Sequence, residues 1–317
     1  MEKLYALLAV CIGLLIAFSS ERYVVMGAEL TMVNSCSYTV WPGILPNAGS
    51  TLLSGGGFEL TPGQSATVQV SPGWSGRFWG RTDCKFSDSG VGTCASGDCG
   101  GKLQCGGAGA QPPATLAEFT LAGNQVNVKQ DFYDVSLVDG YNIPIAIVPA
   151  SGSGTCGVAG CARDLNMNCP AELQLLADDQ DGSSVVGCKS ACDAFGEAEY
   201  CCAGAYANPT VCKPSSYSQL FKSACPRAYS YAFDDPTSTF TCTGADYNIV
   251  FCPTPSSQKS ATGLQQPENG LMGTQAYARM SSDAYSSPRP SACLILAAFS
   301  LFYSSFFVHF PVPLLLF

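Results

Sequence analysis

The chain has 317 residues, a formal net charge of −9 and only 12% charged residues, which excludes the basic faces that nucleic-acid binding needs. Its one histidine is His309, close to the C-terminus, so the body of the chain has no Ser-His or Cys-His nucleophile. No P-loop and no Gly-x-Gly-x-x-Gly opening a helix is present, which argues against nucleotide binding.

Met1, Glu2 and Lys3 precede an almost wholly apolar run from Leu4 to Phe18. A short charged start, an apolar run and small residues after it predict a secretory signal peptide over 1–27. Cleavage after Gly27 starts the mature chain at Ala28, with a cut near Ser19 as the alternative. An uncleaved membrane helix is the competing reading, but the run is shorter than the roughly 20 residues a span requires.

From Ala28 to Arg81, "ELTMVN", "YTVWPG", "SATVQV" and "GRFWGRT" predict short strands, because they alternate or carry β-branched and aromatic residues between Gly, Pro and Ser clusters. Residues 82–112 form a glycine- and cysteine-rich loop. Strand patterns resume in "TLAEFTL", "NQVNVK" and "FYDVSLVDGYNIPIAIVPA". Residues 163–225 predict a cysteine-rich lobe with helices, one starting at Pro170-Ala-Glu-Leu and one short helix in "GCKSACDAFG". "STFTCTGADYNIVFCP" returns to strands. The fold class is mainly β, with one domain over 28–255. Its sandwich core comes from 28–81, 113–162 and 226–255, with excursions at 82–112 and 163–225.

Residues 256–290, rich in Ser, Pro, Gln and Gly, predict a disordered linker. Residues 291–317 are apolar to the last position, with no Lys or Arg beyond them. Ser281, Ser282, Asp283 and Ala284, a polar spacer and this tail match a GPI-anchor attachment signal. A plain transmembrane anchor is the alternative. Either way the body of the protein is expected outside the cell, tethered to the membrane.

Of the 18 cysteines, Cys11 and Cys293 lie in the terminal segments and the others fall between Cys36 and Cys252. An even, dense set in a secreted chain predicts disulfides. No Cys-x-x-Cys redox pair occurs and no histidine is available for zinc, so neither a metal nor a cofactor is expected. A monomer is expected, and no Asn-x-Ser/Thr site with a permitted middle residue occurs. Carboxylates are then the main candidates for any catalysis, and glycoside hydrolysis is the reaction class built on them.

"GVGTCASGDCGGKLQC" resembles the signature of the plant thaumatin-like proteins, pathogenesis-related family 5, with Ser96 where the usual form has Thr. "NSCSYTVWPG", "GRFWGRTDC", "PPATLAEFTL", "DFYDVSLVDGYNIP", "CPAEL", "EYCC" and "YSYAFDDPTSTFTC" match the family in order, across 28–252. The resemblance implies a flattened β-sandwich with a larger disulfide-rich helical lobe and a smaller looped one. By cysteine order it implies the bridges Cys36–Cys252, Cys84–Cys94, Cys99–Cys105, Cys156–Cys242, Cys161–Cys225, Cys169–Cys188, Cys192–Cys201 and Cys202–Cys212. Spacing alone leaves that connectivity open.

The same resemblance implies a cleft lined by one arginine and four acids. These correspond to Arg77, Glu118, Asp134, Asp139 and Asp234, with Asp235 beside the last as its alternative. Glu118 sits between Leu116, Ala117 and Phe119, so burial would raise its pKa as a general acid needs. Asp134 and Asp139 are an odd number of residues apart and would face opposite ways on a straight strand. They converge only if the chain bends before Asp139–Gly140. Arg77, Trp79 and Arg81 share one strand face, with Trp79 available to stack on an arginine or a sugar.

Three functions compete. The first is an antifungal defence protein that binds β-1,3-glucan or another cell-wall polysaccharide in the acidic cleft. The second is a weak endo-β-1,3-glucanase with Glu118 as proton donor and Asp134 as the second carboxylate. The third is a non-catalytic recognition module anchored at the cell surface.

Overall fold

Every second residue of β1 (Glu29–Asn34) is buried: Leu30, Met32 and Asn34. That is the pattern of a strand with one face on a core. The computed structural model describes residues 27–123, 129–178 and 183–254. The strands that follow are β2 (Trp41–Pro46), β3 (Ser65–Gln69), β4 (Ser75–Arg81), β5 (Lys85–Phe86), β6 (Gly92–Thr93) and β7 (Leu116–Thr120). Then come β8 (Asp131–Ser136), β9 (Ile145–Pro149), β10 (Ala159–Cys161), β11 (Gln174–Leu176), β12 (Val185–Cys188), β13 (Phe240–Cys242) and β14 (Tyr247–Phe251). Most of the strand expected at "NQVNVK" lies outside the described residues.

Two five-stranded sheets form the body, in the orders β10-β9-β14-β1-β3 and β13-β8-β7-β4-β2. Their pairings are antiparallel except that β1 and β14, from opposite ends of the domain, run parallel. Leu30, Met32, Ile147, Ile249 and Phe251 from the first sheet share one apolar cluster with Phe78, Ala117, Phe119 and Val135 from the second. Phe119 is the hub, with ring centroids 5.9 Å from Phe78 and 5.3 Å from Tyr247, both edge-on. Such pairings add to plain area burial.

Eight disulfides link Cys36–Cys252, Cys84–Cys94, Cys99–Cys105, Cys156–Cys242, Cys161–Cys225, Cys169–Cys188, Cys192–Cys201 and Cys202–Cys212. Cys36–Cys252 follows directly on the last parallel rung, Asn34 opposite Phe251. It closes a separation of 216 residues, for which the chain-entropy model gives about 5 kcal/mol.

The helix expected from Pro170 is only a 3-10 turn, Ala171–Leu173. The chain then enters a hairpin, Gln174 pairing with Cys188 while Cys188 is bonded to Cys169. That crosslinked pairing takes the backbone groups a longer helix would need. The short helix expected in "GCKSACDAFG" is present as α1 (Ala191–Phe195). The Ser190 hydroxyl accepts from the Asp193 N–H at its start, and Gly196 closes it at φ 68°. α2 (Ser216–Ala224) and a single turn, α3 (Asp235–Ser238), are the other α-helices among the described residues.

Candidate functional site

The second sheet is buried on both faces, and its outer face carries the charged residues. In β4, β7 and β8, Phe78, Ala117, Phe119, Tyr133 and Val135 point into the core. Strand alternation therefore turns Arg77, Glu118 and Asp134 the other way. The register places Arg77 opposite Glu118 and Glu118 opposite Asp134, so one guanidinium and two carboxyls form a rung across three strands. Directly opposed residues bring their Cβ atoms to about 5 Å. Arg77 Nε lies 3.6 Å from Glu118 Oε1. Arg77, Glu118 and Asp134 are 7%, 4% and 6% exposed.

The chain returning from the helical lobe is zipped to the end of β8. Leu137 N–H donates to the Tyr229 carbonyl and Tyr229 N–H to the Val135 carbonyl, both at 2.8 Å. β8 ends at Ser136, and the chain turns where Gly140 N–H donates to the Leu137 carbonyl. Gly140 has φ 85°, a conformation open to glycine at little cost. The bend brings Asp139, half-buried, into the electrostatic field of Arg77 and Glu118.

Asp234 and Asp235 diverge. The Asp234 Oδ2 atom accepts from the Ser230 N–H at 3.0 Å and hydroxyl at 2.9 Å, and Lys222 Nζ lies 2.9 Å away. Asp235 accepts from the Tyr229 phenol at 3.0 Å, and its charge acts on Asp134. Of these two, the acid that acts on Asp134 is thus Asp235, while Asp234 is engaged by the helical lobe. Lys222, which sequence reading missed, also donates to the Ala228 carbonyl and the Ser238 hydroxyl. Nothing in the local sequence signals this, because the partners lie beyond the helix and meet Lys222 only once the chain folds back.

Burial pushes the Glu118 carboxyl above its usual range; Arg77 opposes the shift and Asp139 adds to it. Asp134 is raised well above, first by burial and then by Glu118. Asp139 and Asp235 are raised, again chiefly by burial. Two neighbouring buried carboxyls beside one cation cannot both ionise without penalty. The Asp134 Oδ1 atom is buried and has no hydrogen-bond partner among the described residues, which leaves it suited to a polar group arriving from outside.

Burial leaves Trp79 no face open to a sugar, and the arginine–ring stackings among the described residues are on Phe86 and Phe240. Trp79 is fully buried under the looped lobe, with Cys99, Cys105, Ala114 and Leu116, and its indole N–H donates to the Gly97 carbonyl at 2.8 Å. Gly43 lies directly opposite it, where a Cβ would meet the ring at 2.2 Å. Arg81 is also fully buried. It donates to the carbonyls of Trp41, Pro42, Lys102 and Leu103 at 2.7–3.3 Å. Burial lowers its pKa to about 10, against the field of Asp98.

These features define a disulfide-stapled, two-sheet β protein with a largely buried acidic rung on the outer face of its second sheet. The sequence pattern of the thaumatin family matches residues 34–253, and the chain belongs to that family. It is similar to Thaumatin-like protein 1 of Arabidopsis thaliana, 61% identical over 72% of this chain and 86% of that one. It is 56% identical to Pathogenesis-related thaumatin-like protein 3.5 of Cryptomeria japonica, over 76% of this chain and 96% of that one. It is 54% identical to Pathogenesis-related protein 5 of Arabidopsis thaliana, over the same two shares. The chain is therefore a plant thaumatin-like protein of pathogenesis-related family 5.

Proposed function

We propose that this protein binds β-1,3-glucan or a related fungal-wall polysaccharide at the acidic rung, as an extracellular defence protein held at the plasma membrane by its C-terminal tail. The observation that carries the binding reading is the buried, unpartnered Oδ1 of Asp134, set beside Glu118 and Arg77. A buried acceptor without a partner is penalised by about 1–3 kcal/mol, and a sugar hydroxyl, both donor and acceptor, relieves it. Because Asp134 is raised well above the usual carboxyl range, it can also donate. The relatives named pathogenesis-related support the defence role. The apolar run 291–317 supports the tether.

Calorimetry of the purified protein with a soluble laminarin-type β-1,3-glucan tests the binding. Wild type is expected to bind, and Asp134→Ala to bind about tenfold more weakly. Absence of wild-type binding overturns the reading. The raised carboxyl of Glu118 is the specific feature that favours a second reading, weak hydrolysis. New reducing ends that disappear in Glu118→Gln would establish it. Release from the cell surface by phosphoinositide-specific phospholipase supports the lipid tether, and persistence supports a spanning helix.

A further inference from the structure

The helical lobe borders a cavity of about 100 Å³, room for a few waters. Its wall is drawn from residues 190–192, 199–202 and 212–218, with Val138, Ser230 and Tyr231 closing one side. Cys192–Cys201 and Cys202–Cys212 tie those three wall segments together in series. The wall is therefore fixed before any ligand arrives, which removes much of the ordering penalty of binding.

Two aromatic rings in the wall are held in place from behind. Tyr200 and Tyr217 lie 6.1 Å apart at 78°. Each also packs on Phe195, at 5.6 and 5.4 Å. The Tyr217 phenol donates to Glu172 Oε1 at 3.0 Å, which sets its ring plane. Glu199 and Lys213 place one charge of each sign at exposed lining positions, so the cavity favours neither an anion nor a cation. Fixed aromatic rings, serine and tyrosine hydroxyls and balanced charge suit an uncharged polyhydroxylated ring, whose C–H faces pack on aromatics while its hydroxyls exchange hydrogen bonds.

Two lining residues, Val138 and Ser230, border the acidic site. Val138 adjoins Asp139, and Ser230 donates twice to Asp234. The charges of Asp234 and Asp235 reach Tyr231. We propose that this cavity seats one pyranose unit of the same polysaccharide whose neighbouring units cross the acidic rung. This rests on the glucan reading above and adds a second contact point to it. Affinity should then depend on ligand length, with a step where a chain becomes long enough to occupy both places.

The test titrates the purified protein with linear β-1,3-gluco-oligosaccharides from disaccharide to octasaccharide. Wild type is expected to show a step of about tenfold in affinity at one length. Tyr217→Ala should flatten the ratio of long to short to under about threefold, while Tyr217→Phe, which keeps the ring, should retain the step. The ratio is read on each variant separately. A second readout needs no variant: amide shifts of 199–202 and 213–218 in wild type should move with the octasaccharide and stay fixed with the disaccharide. A step that survives in Tyr217→Ala, no step at all, or shifts confined to 116–120 and 131–136 overturns this proposal and leaves the acidic-site reading standing. Failure of every oligosaccharide to bind overturns both.

Discussion

Arg77 and Arg81 stand on one strand, on the same face and two rungs apart, yet they meet opposite surroundings. At the looped-lobe end, Arg81 is wholly enclosed and each of its three nitrogens donates to a backbone carbonyl. At the helical-lobe end, Arg77 faces Glu118 at 3.6 Å, and the Oδ1 atom of the neighbouring Asp134 has no hydrogen-bond partner among the described residues. A buried cation met by fixed carbonyl oxygens is a structural fastener. One met by carboxyls that can each gain or lose a proton leaves the site responsive to a ligand and to pH.

The largest effect should come from breaking the fastener. Arg81→Ala strips a bond from four carbonyls and opens a space beneath residues 99–105. A loss of about 3–5 kcal/mol is expected, read from guanidinium unfolding with the disulfides intact. Arg77→Ala should cost less, about 1–2 kcal/mol, because the acids it leaves behind can take up protons. Equal losses would erase the distinction between the two ends.

A smaller effect is expected from Cys99→Ser/Cys105→Ser, because that bridge spans a sequence separation of only 6 residues. The chain-entropy model gives about 2 kcal/mol. The loop it closes carries the Lys102 and Leu103 carbonyls that hold Arg81, and Arg81 also donates to the Cys99 sulfur. Combining the change with Arg81→Ala should therefore cost less than the two losses added. Strict additivity would show that the loop and the arginine are independent. At the other end, Lys222→Ala should cost about 1–2 kcal/mol, since the pair with Asp234 is only partly buried.

The two ends were not equally legible in the sequence. Strand alternation put Arg77, Trp79 and Arg81 on one face correctly, because a period of two is a local property of the backbone. Which lobe covers which residue is a long-range matter, so the sequence left Trp79 free to stack on an arginine or a sugar, whereas it lies buried with its indole N–H on the Gly97 carbonyl. The two-sheet core could be read from β-branched and aromatic runs such as "ELTMVN" and "GRFWGRT". The segment after Pro170 could not, because a disulfide and a cross-strand partner override its local helix signal. Lys222 escaped for a similar reason, since an ordinary helix lysine gains its role only from tertiary contacts, and the choice between the adjacent Asp234 and Asp235 stayed open because tertiary contacts decide it.

The smallest expected effect is also the one that separates the two ends most cleanly. Asp134 is raised in the folded protein relative to the unfolded chain, and Glu118 and Asp139 shift the same way. The folded state therefore keeps protons that the unfolded chain releases above about pH 4. Stability from these groups is fully present below that point and is lost as the pH rises through their folded values. Asn at position 134 cannot ionise, so Asp134→Asn should flatten this fall and gain about 1 kcal/mol near pH 7, a rise of a few degrees in Tm. Thermal unfolding of both proteins between about pH 4 and pH 7 reads the difference. If the wild type gained stability across that window and the variant ran parallel to it, Asp134 would be an ordinary ionised carboxylate. If the variant is more stable yet binds glucan less well, the acid at the helical-lobe end is retained at the expense of stability, as expected where a buried polar group serves binding rather than folding.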